Sequence, residues 1–235
     1  MTVRELMKFL SLSELSNLTV TDTKDEEECG IKKKYHNAIV TFIYEGLNKL
    51  YANYYLKEDS IYLEVIDGKT RYEITSEHLM GEDLEADYDH YLWKPGQKPF
   101  NNDILRIIRI IDSTGRILPL NNPEKFNSVF TPLYNCIDIQ NLTDEHELEI
   151  IYAAKHPPIS YEENTELELP ISLFPAIRAY VAYLVHMNMN TENAVQNAQK
   201  YLNQYNLIIT ENIQSDAAFT KVDDRACKFV LGGWV

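Results

Sequence analysis

The chain has 235 residues, with 22 Lys and Arg against 36 Asp and Glu, a formal charge of −14 at pH 7. Charge of that sign repels phosphate and excludes a general nucleic-acid binder, whose non-specific affinity comes from Lys and Arg. At 45% hydrophobic and 25% charged the composition is that of a globular protein, and the length admits one large domain or two small ones.

Thr2 followed by Glu5 reads as a capping box, so a short helix is expected to run through about Leu10. From about Asp25 the apolar residues Ile31, Tyr35, Ala38, Ile39, Phe42, Ile43, Leu47, Leu50, Tyr51 and Tyr54 recur at three and four residues. They predict one long amphipathic helix whose first turn carries Asp25, Glu26, Glu27 and Glu28 at the positive end of its dipole. The period then falls to two. Ile61, Leu63 and Val65 alternate with polar residues, Asp67-Gly68 has the composition of a type I′ turn, and Thr70, Tyr72 and Ile74 alternate on the return, which predicts a β-hairpin. A second strand pair is expected at Ile104 to Ile111 and Arg116 to Leu120, with further strands near Asn135 to Ile139 and Glu147 to Ala153.

Helical spacing returns after Pro170. Phe174, Ile177, Val181, Leu184 and Val185 form a stripe, and Ala176, Ala179 and Ala182 make a strip where another helix can approach closely. Asn190 or Thr191 caps a second helix with apolar face Ala194, Val195, Ala198, Tyr201, Leu202, Tyr205 and Ile209, giving an αα-hairpin. The expected class is therefore α+β. N- and C-terminal helices form one bundle, with an antiparallel β region inserted between them and an extended tail after it. The boundaries are 1–55 for the first part of the bundle, 56–154 for the β insertion, 155–215 for the second part and 216–235 for a C-terminal arm.

The longest apolar stretch, 177–189, falls short of the roughly 20 residues a bilayer span needs and contains Arg178 and His186, so no membrane contact is expected. Met1 to Leu10 carries Arg4, Glu5 and Lys8 where a secretory signal would be apolar, so residence in the compartment of synthesis is expected. Cys29, Cys136 and Cys227 are odd in number and far apart, which suits reduced thiols in a cytosol; the sequons at Asn17 and Asn141 then have no glycan to carry.

Glycine-rich phosphate loops and the nucleophile-elbow motif are absent. The oxygen-rich run Glu82, Asp83, Glu85, Asp87, Asp89 and His90 is the best candidate for a Ca²⁺ or Mg²⁺ site, though it lacks the glycine and closing glutamate of an EF-hand and reads better as a solvated acidic loop. Cys29 and His36, seven residues apart on one expected helix face, would be about 10 Å apart and unable to share a zinc ion. His78, His146, His156 and His186 have no nucleophile motif beside them, and Met187 and Met189 read as packing residues. No cofactor, metal site or catalytic residue is expected. Two features stand out. Tyr35, Tyr44, Tyr51, Tyr54, Tyr55, Tyr180, Tyr183, Tyr201 and Tyr205 fall on helix faces suited either to a tyrosine-rich core rim or to a wet protein contact. Acid is concentrated in Tyr72 to Trp93, with no Lys or Arg, and in Leu142 to Leu169, where Lys155 stands alone.

In several stretches taken in order, the chain resembles bacteriophage head-to-tail adaptor (connector) proteins. The resemblance lies in Val3-Arg-Glu-Leu, Ser13-Glu-Leu-Ser-Asn-Leu, Ile43-Tyr-Glu-Gly-Leu-Asn-Lys-Leu-Tyr, Asp103-Ile-Leu-Arg-Ile, Gly115 with Leu118-Pro-Leu-Asn, and Phe130-Thr-Pro-Leu-Tyr-Asn. Above all it lies in Glu168-Leu-Pro with Pro175-Ala-Ile-Arg-Ala-Tyr-Val-Ala-Tyr. The family implies a structural, non-enzymatic virion protein, made in the host cytoplasm and seated at the neck of the particle. Its copies form a homo-oligomeric ring, usually of twelve, that joins the portal to the tail or nozzle proteins. Double-stranded DNA passes through such a ring without specific binding. The residues matching the portal-docking arm are the tail from Ala217, with Phe229, Val230, Leu231, Gly232, Gly233 and Trp234 as the candidate portal-binding set. Glu77 to Trp93 departs from the common pattern. Alternatives are another neck or tail-completion ring protein, or a soluble metal-dependent enzyme built on the acidic-histidine loop.

Overall fold

A computed structural model describes residues 1–21, 29–81, 86–96, 100–140, 147–189 and 191–214. Among these, the chain is α+β, with helices at both ends and antiparallel sheets inserted between them. It divides into two compact units. One combines Met1–Leu50 with the chain from His156 onward; the other is Tyr51–Lys155.

The helical unit opens as the Thr2-Glu5 pattern requires. The Thr2 hydroxyl accepts the Glu5 amide at 3.3 Å and the Glu5 carboxylate accepts the Thr2 amide at 2.8 Å, starting α1 (Val3–Leu12). Val3, Leu6, Met7 and Leu10 on its inner face are buried. Helix α2 spans His36–Tyr54, preceded by a 3₁₀ turn at Lys33–Tyr35, and does not begin near Asp25. The reason is Gly30. Its φ of +70° turns the chain back, so that Ile31 bridges Thr21 and the Lys32 amide donates to the Val20 carbonyl at 2.9 Å. Ile31 is buried by that antiparallel return, although its spacing fits a helical stripe. The expected acidic first turn, Asp25 to Glu28, lies outside the described residues.

Pro170 precedes a short 3₁₀ turn, and Pro175 sits in the first turn of α3 (Phe174–Met187), where its missing N–H costs nothing. Ala176, Ala179 and Ala182 are fully buried, and α3 packs along α4 (Glu192–Gln214). The Thr191 hydroxyl caps α4 by accepting the Ala194 amide at 3.3 Å. Ala198 and Tyr205 are buried on the inner face; Val195, expected there, is half exposed. Gly46 lets α2 approach α3, because a Cβ at that position would stand 3.0 Å from the Tyr180 ring and 3.1 Å from Ile177.

The inserted unit contains two antiparallel sheets around one core. Strands β1 (Glu58–Glu64), β3 (Leu92–Trp93), β4 (Ile104–Asp112), β5 (Ile117–Leu118) and β8 (Glu147–Ala154) form a five-stranded sheet in the order β3-β1-β8-β4-β5. Strands β2 (Arg71–Glu73), β6 (Val129–Leu133) and β7 (Cys136–Ile139) form a three-stranded sheet in the order β2-β7-β6. The hairpin expected between 61 and 74 therefore does not form. β1 instead pairs along its whole length with β8, from Glu58 opposite Ala153 to Glu64 opposite Glu147, while β2 pairs with β7. The local turn does not compensate: Gly68 has a positive φ but Asp67 does not, as a type I′ turn would need. The Tyr72 phenol fixes the departing chain, accepting the Ile66 amide at 2.9 Å with the Ile66 and Lys69 carbonyls within reach of its own proton.

Ile61, Leu63, Tyr72, Ile137, Leu148, Ile150 and Tyr152 belong to the shared core. The pairing of β4 with β5 follows the sequence reading, closed by Asp112, whose carboxylate accepts from the Thr114 hydroxyl and amide and from the Arg116 amide and guanidinium. Those bonds, the Thr114 hydroxyl first, hold the carboxyl well below the usual carboxylate range despite its burial. Among the described residues no helix is long and apolar enough to cross a membrane.

Candidate functional site

The side chains that sequence singled out for chemistry are engaged in structural bonds. Cys29 and His36 do not lie 10 Å apart on a helix: the turn at Gly30 brings the Cys29 Sγ to 3.4 Å from the His36 Nε2, and both residues are buried. The same nitrogen lies 2.7 Å from the Ile31 carbonyl, which can only accept, so Nε2 carries its proton and cannot take one from the thiol. In the acidic loop Asp87 Oδ1 accepts the Asp89 and His90 amides at 2.8 and 2.6 Å, and these bonds lower its pKa. The carboxylate closes a turn there, and no group of three metal-ligating side chains converges among the described residues. Glu82, Asp83 and Glu85 lie outside those residues.

His78 donates from Nδ1 to the Asp89 carbonyl at 2.7 Å at the end of the same loop, and its ring stacks on Tyr91 at 4.8 Å. His156, buried, spans Pro157 and the Glu168 amide, 2.7 and 3.2 Å from its two ring nitrogens. His186 is buried against Tyr201, and burial pushes its pKa down in opposition to a hydrogen bond with the Glu14 backbone. His146 is outside the described residues. The helix tyrosines divide: Tyr51, Tyr54, Tyr180 and Tyr205 are buried, whereas Tyr35, Tyr44, Tyr183 and Tyr201 are partly exposed. Tyr180 donates to Glu45 at 2.7 Å, and Lys49 lies over both the Tyr180 and Tyr205 rings.

The surface that remains is a sheet edge. In the inserted unit, strand edges are shielded one after another. Leu79 and Met80 cover β3, with the Met80 amide donating to the Leu92 carbonyl at 2.7 Å. The Tyr91 phenol bonds both the amide and the carbonyl of Glu73, each at 3.1 Å, and so closes β2. On β6 the Asn121 side chain accepts the Thr131 amide at 2.8 Å, and Pro132 has no amide to offer. Two strands are covered only in part: β1 pairs with β3 only at Tyr62 and Leu63, and β4 is the longer case. It pairs with β8 on one side, but on the other β5 covers only Ile110 and Ile111.

The uncovered length, Ile104 to Arg109, borders a groove of about 520 Å³ lined by Arg106, Ile107 and Ile108 of β4, by Leu120 and Asn121, and by Thr131 to Tyr134. A smaller hollow of about 200 Å³ adjoins Ile104 and shares Tyr134. Leu133 and Tyr134 on the rim are 56% and 61% exposed. Arg106 is held by the Tyr55 hydroxyl and lies over its ring. Sequence reasoning missed this site: β6 was not expected as a strand, and an open edge depends on which strand pairs with which. The quoted Phe130-Thr-Pro-Leu-Tyr-Asn stretch was the available signal.

The six candidate portal-binding residues, Phe229 to Trp234, and the whole arm 216–235 lie outside the described residues. No protein-family model matches the chain, and no curated protein shows significant sequence similarity to it.

Proposed function

We propose that the protein is a structural component of a phage virion, a ring-forming adaptor that joins the portal to the tail or nozzle proteins and forms part of the DNA channel. The observation that carries this reading is the chain order of the fold: a helical unit built from both ends of the polypeptide, with an antiparallel β unit inserted. That is the arrangement the adaptor resemblance implies. Two further features support it. The inserted unit carries an uncovered strand edge beside exposed Leu133 and Tyr134, the kind of surface a head-to-tail ring needs at a subunit contact. Around α1, Glu162, Glu163, Glu166 and Glu168 are exposed, and an acidic lining of this kind repels the DNA backbone during passage.

Electron microscopy of the protein mixed with its portal tests the reading. Rings seated on portal assemblies are expected; free, unassociated molecules at saturating portal would reject it. Phage carrying Glu162→Lys and Glu163→Lys are expected to package or eject DNA less efficiently, and unchanged ejection would remove these glutamates from the channel wall.

A further inference from the structure

Three strand edges in the inserted unit end on a specific shield: Leu79 and Met80 on β3, the Tyr91 phenol on β2, and Asn121 with Pro132 on β6. Natural sheets shield their edges because a free row of N–H and C=O groups templates pairing with another strand. Among the described residues β4 has no such shield from Ile104 to Arg109, and beside it runs a groove whose lining mixes the polar side chains of Arg106, Asn121 and Thr131 with Ile107, Leu120 and Leu133. An edge left open next to such a groove is the geometry of strand addition, in which main-chain hydrogen bonds give affinity and flanking pockets take alternate side chains.

The occupant is found by composition. The stretches outside the described residues are 22–28, 82–85, 97–99, 141–146, 190 and 215–235. The first five are charged or polar; only the last contains an apolar run suited to a strand, Phe229-Val-Leu, and it has no proline. Fourteen residues separate α4, which ends at Gln214, from Phe229. Extended, they span about 50 Å, enough to leave one molecule and reach the next. We infer that Phe229-Val230-Leu231 of one copy adds as a strand to the open edge of β4 in a neighbouring copy. The contact is heterologous, donor tail to acceptor edge, so repetition closes a ring when the rotation divides a full turn. This deepens the adaptor reading and rests on it for the ring. Of the six residues expected to bind the portal, Phe229, Val230 and Leu231 then serve the neighbouring copy, and Gly232, Gly233 and Trp234 remain for the portal.

Cross-linking between copies tests the inference. One protein carries Ile108→Cys, a second of different size carries Val230→Cys, and both carry Cys227→Ser; Cys29 and Cys136 are buried and do not interfere. Oxidation of the concentrated mixture is expected to give a disulfide-linked pair of unlike chains, and adding Leu231→Pro to the donor is expected to abolish it. Absence of the mixed pair overturns the inference. So does a chain carrying both cysteines that closes only on itself. Hydrogen exchange supplies a second reading: amides 104–109 are expected to exchange on the order of tenfold faster in the Leu231→Pro protein than in the parent, and equal rates overturn the inference. Rings on the portal without the cross-link would sink strand exchange alone; the cross-link without rings would sink the adaptor reading alone.

Discussion

The helical unit and the inserted β unit solve the problem of unsatisfied backbone in opposite ways. A helix satisfies its own amides except at its ends, so the helical unit needs only caps: Thr2 and Glu5 on α1, Thr191 on α4. A sheet carries the problem along every outer strand, and the β unit spends Tyr91, Asn121 and Pro132 on it. The difference teaches where to look for an interaction surface. Exposed apolar residues occur in both units, among them Phe9 and Leu12 on α1 and Leu133 in the β unit. Beside Leu133 and Tyr134, exposed apolar surface adjoins a length of β4 edge that no other described strand covers.

The comparison breaks most visibly in the β core. Ile150, on the central strand β8, is fully buried, and Ile150→Ala is expected to cost about 2–5 kcal/mol through lost burial and the cavity left behind. Chemical denaturation should register it, with hydrogen-exchange protection falling first in 58–64 and 147–154. Next comes a contrast between glycines. Gly30→Ala places a Cβ 2.3 Å from the Ser11 Oγ at a φ of +70°, whereas Gly68→Ala at +79° meets open space. The first is expected to cost about 3 kcal/mol, the clash adding to the backbone strain, and the second about 1 kcal/mol; equal denaturation midpoints would show that the Ser11 contact is relaxed.

Smaller effects sharpen the contrast. Thr191→Ala removes the α4 cap and is expected to cost about 1 kcal/mol, read as fraying of the first turn of α4 by hydrogen exchange. The smallest effect is a pH dependence with one group in each unit. Asp112 has a depressed pKa when folded, so its contribution is complete above the ordinary carboxylate value of about 3.9 and is lost as pH falls below it toward the folded value. His186 is also depressed when folded; the unfolded chain binds its proton more readily, so stability declines as pH falls below about 6.5. His186→Gln should flatten the stability profile near pH 6, and Asp112→Asn should flatten it below pH 4.

Much of the helical unit was legible in the order of residues because helix signals are local. The capping box at Thr2, Pro170 before α3, the alanine strip and the cap before α4 act within a few residues, and each lies where its spacing indicates. The start of α2 was misread for a local reason that periodicity conceals. Ile31 and Tyr35 fit the helical stripe, yet one glycine at positive φ converts Ile31 into the partner of Thr21. The same turn defeated the distance estimate for Cys29 and His36, which assumed an unbroken helix.

In the β unit the alternation of Ile61, Leu63, Tyr72 and Ile74 correctly marked buried positions, and the β4–β5 pair followed from its short connection. The 61–74 hairpin did not, since β8, more than eighty residues downstream of β1, offered it a full seven-residue register. The amino-acid order alone therefore determined three of the four helices, most of the longer strands, which faces are apolar and how acidic the molecule is, because those follow from neighbours along the chain. Tertiary structure alone decided which distant strands are partners and which edges remain open, because pairing is a competition among distant segments for the same hydrogen bonds, and only the folded chain holds all the competitors together.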